Sequence, residues 1–362
     1  MARPKLRGGL VGCGDVANSS HLPAWRAQKD AQIVAFCDRN LEAARDVARR
    51  FGVAAAYDDL SPMLRSEHLD FVDICSPPLT HFELSMEAIE AGLHVLVEKP
   101  MAIGLREAED LVSAERGRGV KLCVVHNFLF TPVVCRAKSL VERGAIGEVV
   151  GVHVDVSARR SGVAADESHW CHALPGGIFG DHSPHAVYLT SAFLGKINSV
   201  KTVSWKHGDF AWLAADELRV LLECERGLGN LNISCNSRAP MFTLKISGTD
   251  GILQIDNFAL SMVRIRNRGI RAHQIALEQL DIGLQMLGCL AAGVLRALRG
   301  RRWYNVGHEV IIEQFIRSIR DDSDPPVSGE DGRETIRVLD EVWEQTGGNA
   351  QLSSRGGAVG QP

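Results

Sequence analysis

The chain has 362 residues, 45% of them hydrophobic and 23% charged, with a formal net charge of -4 from 40 basic and 44 acidic side chains. That length suits two domains of ordinary size, and the near balance of charge argues against nucleic acid as a partner, which would call for a basic stripe. The 9 cysteines include no CxxC pair; their odd count and scatter predict reduced thiols. Cys37, Cys75, Cys123 and Cys235 fall in or at the ends of apolar strand-like runs, where cysteine behaves as a small hydrophobe. The basic N-terminus leads straight into a strand with no apolar signal core, and no uncharged run reaches the roughly 20 apolar residues that span a bilayer. A cytoplasmic protein is expected.

The first third alternates strands with amphipathic helices. Strand-like runs occur at Leu6–Val11, Ile33–Cys37, Phe71–Cys75, His94–Val97 and Lys121–Val125. Asn40 is placed to cap a helix that reaches Phe51 and stops at Gly52. Thr80 is placed to cap another to Ala91, with Glu83 completing a capping box and Gly92 as the stop. This alternation predicts a parallel sheet with right-handed crossovers. Past residue 127 the period changes to two. Val150, Val152, Val154 and Val156 alternate with Gly151, His153 and Asp155, and similar runs surround Leu231–Cys235 and Phe242–Ile246. Such runs predict a mainly antiparallel sheet, open on one face, with a turn at Gly248-Thr249-Asp250-Gly251. Helices are expected at Gly307–Arg320 and Glu330–Gln345, and a disordered Gly/Ser-rich tail over 347–362.

The turn Gly12-Cys13-Gly14-Asp15-Val16-Ala17 follows a strand and opens a helix. Gly12 permits the tight turn, Gly14 lets the backbone approach a pyrophosphate, and Ala17 allows close helix–strand packing. The helix N-terminus adds free N–H groups and a positive dipole end. Asp38 follows the next strand at the spacing of a ribose-binding acid, favouring NAD, whereas the adjacent Arg39 suits the 2′-phosphate of NADP or is a solvated surface charge. An α/β fold is therefore predicted: residues 1–126 as a Rossmann dinucleotide-binding domain, and 127–346 as an α+β substrate-binding and oligomerisation domain. The last helices of the second domain are free to pack back on the first.

Two constellations carry chemistry. Lys99, in Glu98-Lys99-Pro100, stands just past a strand where parallel sheets bind ligands, and it can polarise an oxygen or shuttle a proton; the alternative is a surface lysine in a turn. In Gly176–His185, Asp181 and His185 are four apart on one helical face, with Pro184 suited to the first turn. A carboxylate there can fix the tautomer of an imidazole base, or the pair is a cap and a structural histidine. His169, Cys171, His172, Asp181, His182 and His185 crowd one region, but their spacing matches no zinc signature, and no metal is expected.

Together these elements resemble the Gfo/Idh/MocA family of NAD(P)-dependent oxidoreductases. The resemblance extends to about Gln345. It rests on Gly12–Ala17, Asp38-Arg39, Ser76-Pro77-Pro78-Leu79-Thr80-His81, Ala91–Pro100 and the Asp181/His185 pair. It implies that Lys99 hydrogen-bonds the substrate oxygen beside the nicotinamide, that His185 is the general base, and that Asp181 orients it. It further implies cofactor contacts from Gly12, Gly14, Asp15, Val16, Ala17, Asp38, Arg39, Ser76, Pro77, His81, Glu98, Lys99 and Asn127. Substrate contacts are implied for Lys99, Asn127, Trp170, Asp181 and His185. The implied substrates are sugars, nucleotide sugars or polyols, and the implied assembly is a homodimer or homotetramer through the open sheet face. Pro78, Leu129 and Ser183 stand where the family often has Asn, Arg and Gly, which points to an atypical pocket. A catalytically silent NAD(P) sensor or partner subunit, and an NAD-using glycosidase with no net redox change, are the competing readings.

One segment has no simple family counterpart. Ile282–Leu295 carries no charge, and Arg296, Arg299, Arg301, Arg302, Trp303 and Tyr304 follow. It is too short to span a bilayer. It reads either as a helix packed on the second domain or a partner subunit, or as an interfacial helix making peripheral membrane contact through 282–304.

Overall fold

The computed structural model describes residues 4–158, 162–299 and 306–347. Arg301, Arg302, Trp303, Tyr304 and the tail beyond Gly347 lie outside the described residues. Two compact units divide the chain: Met1–Asn127 with Gly307–Arg337, and Phe128–Val306 with Val338–Pro362.

The first unit holds a six-stranded parallel sheet built from β1 (Leu6–Val11), β2 (Ala31–Cys37), β3 (Ala55–Tyr57), β4 (Phe71–Ile74), β5 (His94–Glu98) and β6 (Leu122–Val125), in the order β3-β2-β1-β4-β5-β6. Its helices are α1 (Leu22–Ala27), α2 (Leu41–Phe51), α3 (Leu60–Ser66), α4 (His81–Glu90) and α5 (Leu105–Arg118). The Asn40 side chain accepts from Glu42 N, and Gly52 closes α2 at φ 69°. The capping box expected at Thr80 does not form. Its hydroxyl instead donates to the Pro77 carbonyl (2.9 Å) and pairs with Ser76 Oγ (2.8 Å), because a short 3-10 turn, Pro78–Thr80, precedes α4 and turns the side chain back. The three-residue β3 was not anticipated; it is too short to show a period.

The second unit holds a seven-stranded sheet: β7 (Val149–Ser157), β8 (Ile197–Trp205), β9 (Glu217–Cys224), β10 (Gly227–Ser234), β11 (Met241–Gly248), β12 (Gly251–Asp256) and β13 (Ser261–Arg266). Their order is β13-β12-β11-β7-β10-β9-β8, antiparallel except for the parallel β7–β10 pair. Burial alternates along β9 and β10, as period two requires for a sheet covered on one face. The uncovered face presents Val203, Trp205 and Leu228, with a polar ladder of His153–Asn230 and Asp155–Asn232 between β7 and β10. Helix α6 (Pro132–Glu142) precedes the sheet, and α7 (Ile178–Leu194) packs on β7 and β10.

Past β13 comes α8 (Ala272–Leu298), then α9 (Val306–Asp321) and α10 (Gly329–Thr346). Residues 307–337 group with the first unit, the packing back that the sequence reading left open for the last helices. The cause is apolar. Ile311, Ile312, Phe315 and Ile316 are buried along α9, Phe315 meets Phe71 edge-on at 6.0 Å, and Val124 N donates to Val327 O beside the edge strand β6. By length and composition α8 is the one described helix able to cross a membrane. It exceeds the uncharged run read from the sequence because it also takes in Glu278 and Asp281.

Candidate active site

The glycine turn sits at the C-terminal end of β1, where parallel strands deliver their ligands. Gly12 has φ 89°, and a Cβ there would stand 2.4 Å from Ser76 N, so only glycine fits between the first and fourth strands. Gly14 is the opposite case: nothing lies within 4 Å of its would-be Cβ, and the backbone is exposed. Asp15 is exposed, Val16 half-buried and Ala17 fully buried, opening a π-helical turn, Ala17–His21. Asn18 closes the turn by donating to the carbonyls of Cys13 (2.7 Å) and Gly14 (2.8 Å).

Asp38 stands at the end of β2. Its Oδ2 accepts from Cys13 N (2.8 Å) and its Oδ1 from Asn40 N (2.9 Å). Each carboxylate oxygen keeps a further acceptor site for a ribose hydroxyl. Arg39 beside it is exposed. At the end of β4, Ser76 is half-buried and Pro77 exposed. His81 is fully buried, with Nδ1 2.7 Å from Pro100 O and Nε2 2.8 Å from Ser76 O. Burial lowers its pKa against the pull of the two carbonyls. A dinucleotide would feel His81 only through the two loops that it joins. The residues present therefore fit a dinucleotide: an open Gly14, a helix N-terminus beyond it, and an acid at the ribose position.

Glu98, Lys99 and Pro100 follow β5, with a cis peptide bond between the last two. Glu98 is buried and its Oε2 accepts from Lys99 N (3.1 Å). Its Oε1 receives His21 Nε2 (2.9 Å) and His308 Nε2 (3.2 Å). His21 Nδ1 donates in turn to Asp73 Oδ2 (2.8 Å), which also accepts from Trp25 Nε1 (2.6 Å). His21 thus faces a carboxylate from each ring nitrogen and must donate to both, as an imidazolium does. Burial opposes its charge, yet Asp73 holds its pKa well above the ordinary value. Glu98 is likewise opposed by burial, and the two histidines hold it well below.

His21, Glu98 and His308 bring three ligand atoms within 4.8 Å, as do His21, Asp73 and Cys75. Both His21 nitrogens and His308 Nε2 are paired with the carboxylates, and only His308 Nδ1 is left without a partner, so the arrangement reads as a buried charge network. Sequence reading missed His21, Asp73 and His308. An acid inside the apolar strand Phe71-Val72-Asp73-Ile74 was the available signal, since a buried carboxylate needs a partner. Among the described residues, the crowded His169–His185 region contributes no three-donor group of this kind.

In the second unit, Asp181 and His185 lie one turn apart on α7, both half-buried. Pro184 is not in the first turn as expected. The helix starts at Ile178, because Gly176 and Gly177, both at positive φ, turn the chain into it, so Pro184 lies inside and cannot donate to the Gly180 carbonyl. His185 Nδ1 is 2.7 Å from the Tyr188 hydroxyl, which also accepts from Phe128 N (3.2 Å). The ring packs 4.6 Å from Phe128 and 6.1 Å from Phe242, measured between centroids. Tyr188, Phe128 and Phe242 were not anticipated. Tyr188 could have been found as the residue one turn beyond the histidine. Trp170 sits in a separate 3-10 turn, Trp170–Ala173, against the His169 ring, and Asn127 is buried at the start of the turn after β6.

Two family models match the chain: an oxidoreductase family NAD-binding Rossmann fold over residues 6–126, and the C-terminal alpha/beta domain of the same family over 138–351. The chain belongs to the Gfo/Idh/MocA family and is an NAD(P)-dependent oxidoreductase. It is 26% identical to D-apiose dehydrogenase of Paraburkholderia graminis, over 94% of this chain and 87% of that protein. It is 32% identical to D-glucoside 3-dehydrogenase of Escherichia coli, over 45% of this chain and 46% of that protein. The match to Oxidoreductase P35 of Formosa agariphila, at 30%, spans 56% of this chain and 64% of that protein. The WlbA dehydrogenase of Bordetella pertussis, solved with NADH and UDP-GlcNAcA, shares the fold at a TM-score of 0.78 and 22% identity, covering 96% of this chain and 97% of that one.

Proposed function

We propose that the protein moves a hydride between NAD and a secondary alcohol or ketone of a sugar or nucleotide sugar. The observation that carries this reading is Lys99, held by its own backbone N–H on a buried carboxylate at the end of β5, in the sheet that carries the glycine turn. Similarity to D-apiose and D-glucoside dehydrogenases supports a sugar as substrate. When bound, the nicotinamide supplies the hydride acceptor or donor. Gly14 and the helix N-terminus beyond it hold the pyrophosphate, and Asp38 the ribose, which favours NAD over NADP because a 2′-phosphate would meet a carboxylate.

Lys99 donates to the substrate oxygen and stabilises negative charge as it develops there. His185 takes the hydroxyl proton. In the tautomer a base needs, Nδ1–H is donated to the Tyr188 oxygen 2.7 Å away and the proton is taken at Nε2. Asp181, one turn earlier on α7, favours the cationic ring that results. Two variants test the roles. Lys99→Met is expected to lower kcat/KM by about 10³-fold and His185→Asn by about 10²–10⁴-fold, while NAD affinity measured by fluorescence titration stays within about threefold for His185→Asn. Full turnover by either variant would contradict its assignment.

A further inference from the structure

Helix α8 runs 27 residues, about 40 Å, with no buried residue. One narrow stripe touches the sheet. Gln285 bridges the backbone of Arg264 on β13 through both its amide atoms (2.8 and 2.9 Å), Glu278 accepts from Arg266 N (3.0 Å), and Cys289 Sγ points at Met262 O. The remaining circumference faces outward and is mostly apolar, with His273 and Gln279 as exposed polar residues toward its N-terminal end. Leu280, Leu284, Leu287 and Leu290 are each 59–64% exposed, and Leu298 80%. A continuous apolar surface on this scale marks an interaction site rather than ordinary surface.

Charge on the helix is distributed unevenly. Its two acids, Glu278 and Asp281, both turn to the sheet side and pair with Arg268, with Asp281 also meeting Arg266. The outward face therefore carries no carboxylate, whereas Arg271 caps one end and Arg296 and Arg299 stand at the other. Two copies of such a helix laid together would set arginine against arginine, whether parallel or antiparallel, and offer no acid to offset the repulsion. An anionic lipid surface complements both features: acyl chains for the leucines and headgroups for the arginines. Because the stripe from Glu278 to Cys289 stays docked on β13, the helix cannot be surrounded by lipid, and it must lie in the membrane plane.

We propose that α8 is an in-plane anchor that seats the protein on an anionic bilayer surface. The test is flotation of the full chain with vesicles of phosphatidylcholine alone and of equal parts phosphatidylcholine and phosphatidylglycerol. The expected result is binding to the second, weakening as salt rises. The triple variant Leu284→Glu, Leu287→Glu, Leu290→Glu should not float. Arg296→Gln with Arg299→Gln should bind about thirtyfold more weakly, at about 1 kcal/mol for each basic residue at the surface. The melting temperature and NAD binding of both variants should match the parent, which separates loss of anchoring from loss of fold. The proposal is overturned if the parent does not float, or if the triple variant floats equally well. It is overturned too if the parent is an oligomer in sedimentation that the triple variant dissolves while neither binds vesicles, for then a second copy covers the helix.

Discussion

A single added methyl group separates the roles of the two turn glycines. At Gly12 it would meet the Ser76 backbone and force a positive φ on a residue with a Cβ. Gly12→Ala should lower stability by more than about 1 kcal/mol, visible as a depressed melting temperature even without cofactor. At Gly14 the same methyl enters empty space. Gly14→Ala should therefore melt within about 2 °C of the parent yet bind NAD at least about tenfold more weakly, since the methyl occupies the approach to the pyrophosphate. A parent-like NAD affinity for Gly14→Ala would remove this turn from the phosphate site. The buried network makes a pH prediction. Glu98 has a lowered pKa, so its contribution to stability is full above the ordinary carboxylate value near 4.5 and is lost as pH falls through the lowered one. His21 has a raised pKa, so its contribution is full below about 6.5 and is lost as pH rises through the raised one. The network is thus complete between those two ordinary values and weakens on either side. Glu98→Gln leaves the His21 cation with Asp73 alone and should cost about 3–5 kcal/mol near pH 6. Thermal melts of parent and variant across pH check this: curves that stay parallel from pH 3 to 9 would contradict the network.

Elements with a clean period were legible in the sequence. All five strands expected in the first unit are present, because parallel strands buried on both faces read as continuous apolar runs. Alternation in 150–158, 230–236 and 242–247 revealed the second sheet for the converse reason: one face stays wet. What the sequence hid was long-range pairing. Nothing local to His308 indicates that it lies beside Glu98, 210 positions earlier. The start of α7 was misplaced because Pro184 normally opens a helix, and here tertiary packing holds it in the interior. Helix α9 tests the regrouping of the chain. Phe315→Ala removes a fully buried ring that meets Phe71 and should cost about 3–5 kcal/mol. Its cofactor affinity, measured below the melting transition, should be unchanged. A loss under about 1 kcal/mol would mean that α9 is not part of the first unit's core.

At the scale of the molecule, the residues named in the proposed chemistry are divided between the two units. The first carries the dinucleotide turn, the ribose acid and Lys99; the second carries His185 with Tyr188 behind it and a sheet with one free face. Where Gly12–Ala17, Asp38 and Lys99 stand, at strand ends, and where Asp181 and His185 stand, one turn apart on α7, could be read from local spacing. The supporting groups His21, Asp73, Tyr188 and His308 could not, because their partners are set by folding. The most direct measurement is the absorbance at 340 nm as the protein meets NAD and a panel of sugars, glycosides and nucleotide sugars. The account predicts a steady rise with at least one sugar, lost in Lys99→Met. Sugar released from a glycoside with no lasting change at 340 nm, or NAD bound with no turnover across a panel that includes nucleotide sugars, would contradict it.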